Sequence, residues 1–224
     1  MLNWDDPLAN LNPGTRPTTP PATPAEAGFD DTAGADEDFA LPGEPAAQPA
    51  PAAELDLPDQ IVFTAVDETW DIEHHPGGRL RLTSGAGPGG GRVRLRAPSR
   101  EDAAARRRLR AWVVEQGRRL LLPELDRLAA RHDFDCRGAG VGRQQTRWGS
   151  CSAAGRIRLN CALLFLTPEQ ARHVMLHELC HLRVLNHGAR FWRLLERLQP
   201  EARAIDREMR EAGAQVPGWL FYGD

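Results

Sequence analysis

His177, Glu178, His181 and His187 are the residues of this chain whose types and spacing can do chemistry together. Histidines four apart on a helix stand one above the other, with Cβ atoms about 5–6 Å apart, and can both reach one metal ion. Glu178 lies about 100° round the helix from His177, so its carboxylate sits beside such an ion rather than on it and can hold a water there. This is the H-E-x-x-H arrangement, in which two imidazoles bind zinc and the glutamate is the general base. A third protein ligand is required. On an uninterrupted helix His187 would lie about 15 Å further along and about 80° off the His177 face. The helix must therefore stop, and Asn186, which tolerates left-handed backbone, is where the sequence predicts the turn that folds His187 back.

The elements that must position these groups are also written in the sequence. Thr167 is a predicted N-cap, Pro168 the first helical residue and Gln170 the partner that completes a capping box. Val174, Leu176, Leu179, Leu182 and Leu185 supply the helix's apolar contacts. Between Gln60 and Leu95, I-V-F-T-A-V, G-R-L-R-L-T and G-R-V-R-L-R carry strand signals, separated by H-H-P-G-G and S-G-A-G-P-G-G-G as turns. A small antiparallel sheet follows, with His74 and His75 in a solvated turn and Arg79, Arg81, Arg92, Arg94 and Arg96 on its wet face. Ser99, with Asp102 three residues on, opens a helical region to about His132, which Pro123 should kink or split. Its run Arg106, Arg107, Arg108 and Arg110 reads as a solvated face, because no aromatics interleave with it. Residues 140–160 read as a hairpin leading into the metal helix. Beyond it, A-R-F-W-R-L-L-E-R-L makes an amphipathic helix with Phe191, Trp192, Leu195 and Leu198 inward, and Pro200 begins another. The apolar run Trp219 to Tyr222 is expected to dock on the body.

Composition bounds the rest. Of 28 basic and 31 acidic residues, the segment 1–57 holds eleven acids and a single Arg, so a tail of about −10 precedes a body of about +7. That segment is rich in Pro and Ala and poor in large apolar residues, and is expected to be a disordered tail ahead of a domain over 58–224. No basic, apolar leader opens the chain and no run is long enough to span a membrane. The four cysteines form no C-x-x-C pair, which disfavours a disulfide framework or zinc ribbon and points to the cytoplasm.

The spacing from His177 to His187 equals that of the metzincins, but Val184 stands where those have glycine, so the chain is not one of them. R-W-G-S-C-S at 147–152, R-I-R-L-N at 156–160, H-E-L-C-H, N-H-G-A-R-F-W at 186–192 and Pro200 together resemble the YgjP-like metallopeptidase domain, a relative of the SprT-like zinc proteases. The resemblance is sharp over about 147–200 and looser back to about residue 60. It implies a zincin-like α+β fold, zinc on His177, His181 and His187, catalysis by Glu178, and a strand at 156–160 running along the cleft. As an edge strand, that segment would pair with an extended peptide or protein substrate. The sequence departs from the family at His173, usually aromatic there, and at Cys180, often alanine; His173 is expected to pack rather than orient a ligand.

The expected activity is peptide hydrolysis through a zinc-bound water with Glu178 as base. The donor that stabilises the oxyanion is not legible, with Arg147, His173 and Tyr222 as candidates. Two other readings remain open. YgjP-like proteins have also been associated with nucleoside triphosphate hydrolysis, and the body is rich in Arg. A non-catalytic zinc module is the other, though structural zinc is normally closed by four ligands, often with Cys. Nucleic acid is a less favoured partner, and no membrane partner is expected.

Overall fold

The computed structural model describes residues 56–100 and 102–222. The tail expected over 1–57 lies outside the described residues except at its last two positions, where Leu57 is buried. The architecture is α+β. Strands β1 (Gln60–Phe63), β2 (Glu68–Pro76), β3 (Arg81–Gly87) and β4 (Gly90–Ala97) form a first sheet in the order β1-β2-β4-β3. Helix α1 (Ala103–Arg131) follows, then a second sheet of β5 (Gly138–Gly142), β6 (Gly149–Cys151) and β7 (Arg156–Asn160) in the order β5-β7-β6. Helices α2 (Pro168–His181), α3 (Ala189–Leu198) and α4 (Ala202–Glu208) complete the regular structure.

Both sheets are mixed, which corrects the expected antiparallel sheet. Strand β4 inserts between β2 and β3, parallel to the first and antiparallel to the second. The insertion needs close backbone approach: a Cβ on Gly90, whose φ is +129°, would lie 1.8 Å from the Thr69 carbonyl oxygen. The glycine-rich stretch is thus mostly strand, turning only at Pro88 and Gly89, where φ is +74°. His74 and His75 belong to β2 rather than to a turn.

Alternation along β2 and β4 buries Trp70, Ile72, Val93 and Leu95 on one face. There Trp70 meets Trp112 of α1 edge-on at 5.1 Å, and Phe63 stacks on Trp112 at 5.9 Å. Asp102, not Ser99, caps α1, accepting from the Ala105 amide at 2.8 Å. Pro123 does not divide the helix; Leu120, Leu121, Leu125 and Leu128 pack on both sides of it, and this shared burial offsets the loss of one ladder bond. Arg110 also departs from the expected solvated run, being only 2% exposed. Its Nε donates to the Trp219 carbonyl at 2.8 Å and its Nη2 to that of Tyr222, while Arg143 Nη1 donates to Leu220 at 2.9 Å. Residues 217–222 therefore dock on the body, with Trp219 and Leu220 buried. Among the described residues no helix is long and apolar enough to cross a membrane.

Candidate metal centre

Helix α2 starts where local chemistry dictates. The Thr167 side chain accepts from the Gln170 amide at 3.3 Å, and the Gln170 side chain accepts from the Thr167 amide at 3.2 Å. Gln215 donates to the same Gln170 oxygen at 3.0 Å, so the cap is also a tertiary contact. The helix ends earlier than the sequence suggests, at His181, where Leu182 N bonds Leu179 O and Arg183 N bonds Cys180 O. Such i to i−3 bonds tighten a last turn. Asn186 is not in the left-handed region, and Leu185 is 67% exposed rather than apolar core. The turn that returns the third histidine is thus made at 182–184, because His181 helps to build it: its Nδ1 donates to the Val184 carbonyl at 3.1 Å.

That bond fixes the tautomer and leaves Nε2 of His181 with the lone pair a metal needs. The Nε2 atom of His187 lies 2.9 Å from that of His177 and 3.1 Å from that of His181. A tetrahedral ion with bonds of about 2.0–2.1 Å would hold such atoms about 3.3 Å apart, so the three nitrogens fit around one cation with little adjustment. His177 and His181 are buried and His187 is half-buried. Burial holds the pKa of His177 well below its ordinary value, and the neighbouring His181, His187 and His173 push it the same way. His177 is consequently neutral at neutral pH, the form that ligates. Cys180, the nearest thiol in sequence, is pushed by burial up to about 12 and stays protonated.

The sequence does not announce the floor of the site. Phe191 is fully buried, with its ring centroid 4.8 Å from those of His177, His181 and His187 alike. Its place on the inward stripe of α3 is legible; its contact with every candidate ligand is not. His173 points elsewhere, its Nδ1 donating to Gln199 Oε1 at 2.9 Å and its Nε2 3.9 Å from Asp206 Oδ1. It ties α2 to the segments behind it and is not aimed at the ion, as expected of a packing residue. Tyr222 is held on α1 through Arg110.

Glu178 is 1% exposed and lies against β6. A Cβ on Gly149 would be 2.7 Å from its Oε1, 2.9 Å from its Cγ and 3.0 Å from its Cδ, so only glycine leaves the carboxylate its place. Asn160 holds the approach to this strand: its Nδ2 donates to the carbonyls of Gln144 and Arg147 at 2.7 and 2.8 Å, and its Oδ1 accepts from Ala162 N at 3.0 Å. The only sequence signal for this role is a polar residue between a strand and the apolar run 161–166.

The strand at 156–160 is not an edge. β7 is central, parallel to β5 and antiparallel to β6, and both its ladders are occupied. The edge beside the metal helix is β6. Ser152 N bonds Arg156 O and Asn160 N bonds Trp148 O, so residues 148, 150 and 152 aim their backbone groups at β7 and Gly149 aims its own the other way. Arg156 and Arg158 alternate with the buried Ile157 and Leu159. Leu159 is opposite Gly149, on the Glu178 side, which puts both arginines on the far face of the sheet.

A helix-borne histidine pair, a third histidine folded back and a buried glutamate beside them, all on an α+β domain, form a group that could hold a metal ion. The family model of the YgjP-like metallopeptidase domain matches residues 46–212, and the chain belongs to that family. Neither the curated proteins nor the solved structures contain a significant match.

Proposed function

We propose that this protein is a zinc-dependent peptidase, with the ion on Nε2 of His177, His181 and His187 and with Glu178 as general base. The observation that carries the reading is the convergence of those nitrogens within 4.8 Å of one another on the helix that bears Glu178. Zinc bound there would supply Lewis acidity, polarising a carbonyl and bringing the pKa of a water toward about 7. The chain's own residues do the rest. Glu178, braced by Gly149, takes the proton of the attacking water and returns it to the leaving amine. His181 is kept in its ligating tautomer by Val184, and Phe191 excludes water beneath the site. An extended peptide pairs with the β6 edge at Gly149 rather than with β7, which brings its backbone alongside Glu178.

No observation favours the nucleotide reading at this site, since Arg156 and Arg158 face away from Glu178. Among the described residues the group has three histidines and no fourth protein ligand, which also counts against a purely structural ion. The proposed setting is the cytoplasm, a reading supported by the lack of any C-x-x-C pair among the four cysteines. The test is Glu178→Gln, assayed for bound metal, folding and cleavage of a peptide library. Metal and fold should persist while cleavage falls by about 10²–10⁴-fold. Undiminished cleavage would remove Glu178 from the mechanism; a fully metal-loaded wild type that cuts no peptide but hydrolyses a nucleoside triphosphate would replace the peptidase.

A further inference from the structure

The first sheet turns its second face to solvent, and its register places charges there that the sequence alone cannot pair. Arg92, Arg94 and Arg96 of β4 are exposed, alternating with the buried Val93, Leu95 and Ala97. Across the antiparallel ladder Arg81 is opposite Arg96, Thr83 opposite Arg94 and Gly85 opposite Arg92. On the other side β2 sets Asp71 beside Arg92, Glu73 beside Arg94 and His75 beside Arg96. Glu73 takes the Nε atoms of Arg92 and Arg94, each at 2.9 Å, and lies 3.8 Å from His75 Nε2. One carboxylate therefore aligns two guanidinium groups.

Arg81 and Arg96 have no such partner: among the described residues neither forms an ion pair with an acid. Like charges directly opposed across a ladder destabilise it. A face that merely meets water gains nothing from this pairing, whereas a face that binds an anion does. Thr83 and Gly85 are small, so a shallow trough runs along the strands, lined by His75, Arg81, Thr83, Arg94 and Arg96 and continuing past Gly85 to Arg92. Successive same-face arginines are about 6.8 Å apart along β4.

We propose that this trough binds the phosphodiester backbone of an extended nucleic-acid strand. Arg81 and Arg96, continued along β4 by Arg94 and Arg92 on Glu73, give the trough guanidinium groups that complement a polyanion, and each can bind phosphate oxygens bidentately. Apart from the His75 imidazole at one end, no aromatic side chain lines the trough among the described residues, so bases have no continuous stacking platform and binding is independent of sequence and steeply dependent on salt. The site lies on the side of the sheet away from α1, and does not rest on the peptidase reading.

The test is fluorescence anisotropy of a labelled oligothymidylate titrated with the full metal-loaded chain over a salt series. Wild type should bind at low salt. The double variant Arg81→Gln/Arg96→Gln should lose at least about tenfold in affinity and lower the slope of log K against log salt by about 1.4, two contacts at about 0.7 each. Arg207→Gln/Arg210→Gln, which removes the same charge from exposed positions, should leave binding within about twofold. Arg96→Lys keeps the charge, and should keep the slope while weakening binding, which serves if the double variant folds poorly. Without nucleic acid, Arg81→Gln should raise Tm, because it relieves the opposed pair. Absence of wild-type binding at low salt, equal losses in the two double variants, or displacement by polyglutamate as effective as by unlabelled oligonucleotide would overturn the assignment.

Discussion

Replacing Gly149 by Ala isolates the bracing of Glu178, the proposed general base. The methyl group would meet Glu178 Oε1 at 2.7 Å, against the 3.4 Å at which ordinary contact begins, so the carboxylate or the strand must yield by about 0.7 Å. The strand is held by its pairing with Leu159 of β7, and α2 by its caps, which leaves the Glu178 side chain to move. Gly149 is not in the left-handed region, so alanine adds no backbone strain and the effect is one of space alone. A misplacement of about 1 Å in a catalytic group costs on the order of 10²-fold in rate. We therefore expect kcat to fall by about 10- to 100-fold, or about 1.4–2.7 kcal/mol of barrier, with KM little changed. The overpacking itself should cost about 1–3 kcal/mol of stability. Stopped peptide-cleavage assays, metal analysis by mass spectrometry and a thermal melt separate these terms. A variant with wild-type kcat would refute the bracing, and one that loses its metal together with its activity would show that the whole centre, not the carboxylate, depends on Gly149.

Three further outcomes follow from the geometry. His187→Ala should abolish stoichiometric zinc, whereas His173→Ala should keep the metal and lower Tm, as read by metal analysis and calorimetry; equal metal loss would mean that His173 is a ligand. His177 has a lowered folded-state pKa, so the folded chain binds fewer protons there than the unfolded chain below pH about 6.5. Its contribution to metal-free stability is complete above that pH and is lost as pH falls toward the folded value, by up to about 1.4 kcal/mol per pH unit; the slope of Tm against pH should flatten in His177→Gln. Arg110→Ala should strand the carbonyls of Trp219 and Tyr222, at about 1–3 kcal/mol each where they remain buried, and open residues 217–222 to limited proteolysis before the rest of the domain.

What the sequence revealed divides by the range of the interactions. The start of α2 was legible because a capping box is written within four residues, and the ligand pair because its spacing is a property of the helix itself. His187 was legible as a residue type, but not the turn that returns it, because that turn depends on His181 bonding Val184 and on Phe191 from another helix. Strand order was illegible for the same reason. Nothing local says that β4 lies between β2 and β3, or that β7 is flanked on both sides, and the sequence therefore reads β7 as an edge where the structure makes it the central strand. Gly149 carries no spacing signal; its meaning appears only when a strand and a helix meet.

The clasp of Arg110 and Arg143 on residues 217–222 also constrains when the domain can mature during translation. Trp219 packs edge-on against Phe165 at 6.4 Å, so the core beside α1 is finished by the last part of the described chain. Synthesis proceeds at about 5–20 residues per second, and α2 with its histidines leaves the ribosome seconds before those residues do. During that interval the buried guanidinium of Arg110 lacks its carbonyl acceptors and the aromatic cluster has an open side.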